Sequence, residues 1–358
     1  MSVLIAGGGI AGAAAACLLG PAATLVEREA AAHDKICGEF VSWEAQDGLA
    51  RLGLDLPSLG GASIHSVRLV HGPRSVTTAL PHLGLGLSRR VLDEALLGLA
   101  VQRGARLHRG HAVRRITPDG ALVDGLGRLP VGRVLLATGK HDLHAIRRPA
   151  TGEPLVGLKM YFALSAAEQQ ALDGHVEVVL FPGGYAGLQM VEGRRANLCL
   201  LIQHAAFREA GGNWPGILAH LRRHAPHLAR RLAGAEALLA QPVTIFRVPY
   251  GFVHRPGADD PAHVARLGDQ MGVIPSFSGD GMAIALHTAF AAARGPGAAA
   301  YHARMRTDLA GQIGRAMLLH RLGQARPGWV AAAARAWPGA MGWVARLTRV
   351  PVRRLAWQ

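Results

Sequence analysis

Residues 2–27 run from an apolar segment through a glycine cluster and an alanine-rich segment to a second apolar segment. That succession constrains the fold more than any other feature of the sequence. Ser2 to Ala6 has strand character, and Gly7-Gly8-Gly9-Ile10-Ala11-Gly12 follows without a spacer. A helix is expected to Leu19, where Gly20-Pro21 stops it; Ala23 to Val26 then restarts a strand closed by Glu27 and Arg28. Each glycine of the turn meets a separate need. Gly7 permits the sharp turn, Gly9 lets a pyrophosphate approach the backbone, and Gly12 lets the helix lie close on the strand. The N–H groups of Ile10 and Ala11 and the positive end of the helix dipole then face an anion. Glu27 lies twenty positions after Gly7, at the strand tip, where a carboxylate can accept hydrogen bonds from ribose hydroxyls. The expectation is a Rossmann-like α/β domain that binds a dinucleotide.

A second segment bears on which dinucleotide. Val264 to Asp269 (VARLGD) reads as a strand ending in Gly-Asp, and QMGVIPSFSGDG, residues 270–281, leads into the helical MAIALHTAFAAAR. Asp269 can accept from a flavin ribityl group, Pro275 makes a rigid wall, and Gly279 and Gly281 clear side chains from the next helix start. That start, Asp280 to Met282, can aim N–H groups at the N1/C2=O edge of an isoalloxazine ring. The alternative is a glycine-rich loop with Asp280 as an ordinary helix cap.

With LSRRVLDEALLGLA at 87–100, these segments resemble the FAD-dependent oxidoreductase superfamily of p-hydroxybenzoate hydroxylase-type monooxygenases and geranylgeranyl reductases. The resemblance implies a Rossmann-like FAD-binding domain (GR2-type) with an inserted antiparallel β-sheet substrate lobe and a C-terminal helical segment. The FAD-binding parts fall at 1–62, 85–148 and 255–300, the lobe at 63–84 and 149–254, and the helical region at 301–358. It also implies FAD contacts for Arg89, which opens an Arg-x-x-Leu-Asp pattern, and for Asp269, Pro275, Gly279 and Gly281. Family members usually show Asp-Gly after a mid-chain strand; here Thr138 precedes Gly139, and Lys140-His141-Asp142 follow. KICGEFVSWEA, residues 35–45, carries a Lys-x-Cys-Gly segment that resembles the reductase branch, which implies a place for Cys37 and Gly38 near the substrate side of the flavin; a small buried hydrophobe is the plainer reading of Cys37. Gly184 to Leu188 departs from that branch, having glycine where tryptophan is usual.

Lobe strands are expected at Ser66–Val70, His175–Phe181, Tyr185–Met190, Ala196–Ile202 and Val243–Val248, those from His175 to Ile202 forming an antiparallel meander. Tyr161, Phe181, Tyr185, Gln189 and Phe246 are candidate substrate-pocket residues, with core packing the plainer reading of each.

Composition narrows the chemistry further. The three cysteines are far apart with no C-x-x-C, and the eighteen histidines form no metal-ligand pair, so no metal is expected. The formal charge of +15 comes almost wholly from arginine, since Lys35, Lys140 and Lys159 are the only lysines. No base-reading motif accompanies that charge, so a nucleic-acid partner is not expected. From Tyr301 onward there are ten arginines, one acid (Asp308) and Trp329, Trp337, Trp343 and Trp357. That tail reads either as a helical pack with a solvated arginine face or as a peripheral membrane contact. The opening MSVLIAGGG lacks a basic stretch and its apolar run is broken by glycines. The expectation is a cytoplasmic protein, membrane-associated only if this tail makes the contact.

The resulting functional expectation is a flavin monooxygenase that uses O2 and transiently bound NAD(P)H on a hydrophobic, phenolic or polyketide-like small molecule. The alternatives are a reductase for C=C bonds of prenyl groups, of the geranylgeranyl reductase type, and a flavoprotein electron carrier without a substrate of its own. His141 and Tyr185 are the candidate catalytic residues.

Overall fold

A computed structural model describes residues 2–144, 146–149, 152–257, 260–295, 297–337, 339–351 and 354–358. Its centre is a five-stranded parallel sheet ordered Val264–Arg266, Arg133–Leu136, Val3–Ala6, Ala23–Glu27, Arg106–Arg109. The first strand in sequence is thus central, and the order reverses beside it. Helix Ile10–Leu19 leaves this strand directly and is buried on every side from Ile10 to Cys17. Its alanines allow close approach to helices Arg89–Gln102 and Gly281–Ala293, which pack on it. A three-stranded sheet, Val113–Thr117, Gly120–Val123 and Gly127–Pro130, covers the other face of the parallel sheet.

The second large unit is a nine-stranded sheet. Gly174–Phe181, Gly184–Val191 and Arg195–Gln203 form the expected meander, extended by Leu155–Ala163. One seam is not antiparallel: Gly174–Phe181 runs parallel to Ala62–His71. The hairpin Ala62–His71 and Arg74–Gly86 and the strand Leu155–Ala163 exceed the expected lobe strands, while the last strand stops at Phe246. One face of this sheet is sealed by helices His204–Glu209, Trp214–His224 and Pro226–Arg231 through Phe207, Ile217, Leu221 and Leu228. The other face, carrying Tyr185, Leu201 and Leu180, meets Val248, Tyr250 and Val273.

The C-terminal region is helical, as expected: Ala298–Ala325, Pro327–Ala336 and Gly339–Leu347. The first packs Tyr301, Met305, Leu309 and Ile313 into the main core. The final residues return to that core, where Trp357 is buried against Phe290 and donates its indole N–H to Asp47 at 2.8 Å.

Candidate functional site

A cleft, partly open to solvent, lies where the parallel sheet reverses order and the large sheet faces it. Open α/β sheets bind ligands at such a point. The local sequence explains why the crevice is clear. Gly7 has φ +107°, and a Cβ there would lie 2.5 Å from the Ala137 carbonyl oxygen. A Cβ on Gly12 would lie 1.9 Å from the Gly7 oxygen, so only glycine lets the helix start this close to the turn. Gly9, Ile10 and Ala11 line the cleft at one helix N-terminus, and Gly281 and Met282 line it at another. Two positive dipole ends therefore open onto one space.

Cations gather at the first of them. A Cβ on Gly9 would sit 3.3 Å from Arg89 Nη2 and 3.8 Å from Lys35 Nζ. Arg89 is held by bidentate bonds to Asp93 at 2.8 and 2.9 Å, and Lys35 donates to the same carboxylate at 2.8 Å. Burial pushes the Asp93 pKa up, but Arg89 and Lys35 outweigh it and leave the carboxyl below its ordinary range. Further along, Lys140 donates to Asp269 Oδ2 at 2.9 Å. Burial alone would favour the neutral forms of both; each instead holds the other charged, Lys140 shifted upward and Asp269 downward.

Among the residues expected from the sequence, Gly9, Ile10, Ala11, Cys37, Gly38, Arg89, Gly139, Asp269, Gly279, Gly281 and Met282 line this cleft. Gly7 and Gly12 shape the turn from behind it, and Pro275 lies between the lining residues Ile274 and Ser276. Glu27 is buried at the strand tip, where it accepts from the Gly8 N–H at 2.6 Å and the Glu29 N–H at 3.0 Å. Arg28 is exposed and meets His141 Nε2 at 3.1 Å.

Several expectations need correction. Asp280 does not line the cleft, and its side chain does not cap its helix: the carboxylate is fully buried and accepts from the Val350 N–H at 3.1 Å, so it anchors the C-terminal tail. Burial, reinforced by Glu44, pushes its pKa well up. His141 and Tyr185 do not form one site. His141 is exposed beside Arg28, whereas the Tyr185 hydroxyl is within 2.7 Å of Ser276 Oγ and 3.5 Å of the Tyr250 hydroxyl. Desolvation by its neighbours, together with the charges of Arg28, Arg148 and Lys140, lowers the His141 pKa, and burial raises that of Tyr185. Phe181 faces the helical layer behind the large sheet, with its ring 5.8 Å from that of His220. Phe246 is exposed on an edge strand against His204. Tyr161 and Gln189 are buried beside the cleft but bind protein: both contact Glu39.

Glu39 is a site residue that the motifs do not single out. It lines the cleft, adopts φ +61°, and accepts from Lys159 Nζ at 2.5 Å, the Tyr161 hydroxyl at 2.8 Å and the Arg89 N–H at 2.7 Å. Lys159 and Glu39 are both completely buried. Its only sequence signal is its place in KICGEF, two residues after the more conspicuous cysteine. Ser276 and Tyr250, whose hydroxyls are 2.8 Å apart, and Cys199 also line the cleft without a motif to mark them. Burial pushes the Cys199 thiol up to about 12, so it stays neutral. Among the described residues no cluster of His, Cys, Asp and Glu could hold a metal ion.

No family model matches the sequence, and no curated protein matches it. Solved structures do match in fold. A flavin-dependent brominase, Bmp2, superposes with a TM-score of 0.78 at 16% identity, covering 97% of this chain and 92% of its own. The flavin-dependent halogenase CmlS superposes at 0.70 with 19% identity, over 88% of this chain and 63% of its own. A variant of 2-methyl-3-hydroxypyridine-5-carboxylic acid oxygenase superposes at 0.67 with 16% identity, over 91% and 93%. This chain has the fold of those proteins.

Proposed function

We propose that this protein is an FAD-dependent oxidoreductase of the monooxygenase type, acting on a hydrophobic small molecule with O2 and electrons from NAD(P)H. The observation that carries the reading is the convergence of two helix N-termini, with Arg89 and Lys35, on one cleft. The donor set fits FAD. The amides of Ile10 and Ala11 with Arg89 and Lys35 would suit a pyrophosphate, and Glu27, at the strand tip behind Gly8, would accept from ribose hydroxyls. Asp269 would accept from the ribityl group, and the amides at Gly281 and Met282 would face the pyrimidine edge of the ring.

When bound, FAD would supply hydride acceptance and O2 activation; the protein supplies position and dryness. Cys199, Leu201, Val248, Tyr250 and Val273 give the far wall an apolar, water-excluding character. Tyr185 and Tyr250 hold their protons because burial raises both pKa values. They serve as hydrogen-bond donors or packing groups, and neither is a base at neutral pH. His141, on the exposed Arg28 side, is assigned no chemical step.

A second reading, oxidation of halide and halogenation of the substrate, is supported by the fold similarity to the flavin-dependent brominase Bmp2 over nearly the whole of both chains. The distinguishing measurement is O2 consumption coupled to NAD(P)H oxidation with a panel of phenols, with and without bromide or chloride. Hydroxylated product without halide supports the first reading, and halide-dependent product the second. Substrate reduction without oxygen would replace both with a C=C reductase, and no substrate effect on flavin turnover would favour an electron carrier. Asp269→Ala is expected to yield a protein at least tenfold weaker in FAD binding; a variant that keeps its flavin through gel filtration would overturn the site assignment.

A further inference from the structure

Leu309 to Gln358 contains eight arginines and no aspartate or glutamate. Three of the arginines are engaged: Arg315 with the Leu347 carbonyl at 2.7 Å, Arg349 with Glu44 at 3.0 Å and Arg354 with the Thr307 carbonyl at 3.2 Å. Arg321, Arg326, Arg335 and Arg346 have no partner among the described residues.

The same region displays three of its four tryptophans to solvent. Trp329 is 77% exposed, Trp337 61% and Trp343 50%, while Leu318 and Leu322 are exposed on successive turns of the preceding helix. Helix Pro327–Ala336 inverts the usual arrangement of a soluble helix: it buries Ala331 and Ala334 and turns Trp329 outward. Core demand would favour the opposite orientation, so this face is built to meet something apolar. The three C-terminal helices touch one another, and the last two lie on the hairpin Ala62–His71/Arg74–Gly86, where Leu83 is 60% exposed. The same hairpin reaches Gly86, paired with Phe40 at the cleft.

We propose that these helices dock the protein on the surface of an anionic lipid bilayer, with the indoles at headgroup depth and the unpaired arginines against lipid phosphates. Indole and guanidinium groups interleaved without acids suit that boundary, because rings and arginine stems enter the apolar layer while charges meet the headgroups. No described helix is long and apolar enough to cross a membrane, so the contact is peripheral. Charge argues against a second copy as the occupant: a two-fold contact through this face would crowd the unpaired arginines of both copies with no carboxylate to balance them.

The test is flotation of the full-length protein with phosphatidylcholine vesicles, with and without phosphatidylglycerol, at low and high salt. The expected result is binding only with phosphatidylglycerol, weakened by salt, with a blue shift of tryptophan fluorescence. Trp329→Ala/Trp337→Ala/Trp343→Ala should bind at least tenfold more weakly, and each of Arg321→Gln and Arg326→Gln roughly fivefold more weakly, all with an unchanged melting temperature. Equal recovery on both vesicle types, or a folded triple variant that floats like the parent, would overturn the proposal. So would tryptophan-dependent dimerisation, which would assign the face to a second copy, or tryptophan-dependent binding of single-stranded DNA in place of vesicles.

Discussion

Lys159→Met isolates what the buried ammonium does for the carboxylate beside the cleft. Methionine keeps most of the volume and removes the charge that sits 2.5 Å from Glu39. In the parent, burial raises the Glu39 pKa above its ordinary 4.5 and Lys159 opposes that rise. Without Lys159 the cheapest response is for Glu39 to take a proton, and the neutral acid can still bond to the Tyr161 hydroxyl and the Arg89 N–H. The proton sets a ceiling. Protonating a carboxyl of pKa 4.5 at pH 7 costs about 1.4 kcal/mol per pH unit, hence at most about 3.4 kcal/mol. The parent's own upward shift lowers that figure, so a loss of roughly 1–3 kcal/mol at pH 7 is expected. The sign follows from linkage. A raised folded-state pKa gives stability that is complete below the unfolded value and lost as pH rises through the folded one. Removing Lys159 raises that pKa further, so the gap between parent and variant should widen with pH above the parent's value. Urea unfolding at pH 5, 7 and 8 reads the gap directly. The same loss at all three pH values would refute the assignment of Lys159 as the counter-charge of Glu39.

Other positions give sharper yes-or-no outcomes. Gly12→Ala places a methyl 1.9 Å from a backbone oxygen and should cost about 3 kcal/mol or more, whereas Gly281→Ala meets nothing within 4 Å and should melt like the parent; thermal melts of the pair check this. His141→Ala should leave kcat within about twofold of the parent, because its ring meets Arg28 and not the Tyr185 cluster; steady-state kinetics decide it. His302 is buried and accepts from the Arg266 N–H at 3.1 Å, and burial lowers its pKa to about 4. The stability it contributes is present above pH 6.5 and lost as pH falls towards 4, so His302→Gln should flatten the acid limb of a stability–pH curve.

Legibility in the sequence depends on how local each constraint is. The glycine turn, the helix beginning at Arg89 and the Gly-Asp segment can be placed because each demand is met within a few residues: a positive φ at Gly7, a close approach at Gly12, and at Asp269 a helical turn just past the strand Val264–Arg266. The large sheet is harder. Strands buried on both faces show little alternation, so nothing in the sequence says which residues look towards the cleft. Phe181 and Tyr185 flank the turn between two meander strands, yet one packs under the helical layer and the other against Val248 and Tyr250 on the opposite side. Asp280 misleads for a related reason. An acid before a helix resembles a cap or a ligand, and only the returning tail, seventy residues later, reveals its Val350 partner. In the tail, the sequence does not separate solvated from buried tryptophans; the structure buries Trp357 and leaves the other three exposed.

The segment Lys35–Phe40 links these observations, because both halves of the molecule grip it. From the large sheet, Asn197 donates to the Cys37 and Gly38 carbonyls at 3.1 and 3.0 Å, Gln189 to the Glu39 carbonyl at 2.8 Å, and Lys159 to the Lys35 carbonyl at 3.2 Å. From the parallel-sheet side, the Arg89 N–H reaches the Glu39 carboxylate, and Lys35 shares Asp93 with Arg89. Apolar layers can slide by a fraction of an ångström at little cost, but a buried network of directional bonds cannot without leaving groups unsatisfied. The width of the cleft is therefore set by this polar crossing more than by the apolar walls. Ile36 to Phe40 line that cleft while their backbone is clamped from behind, so this stretch of the wall is held in place before any ligand arrives.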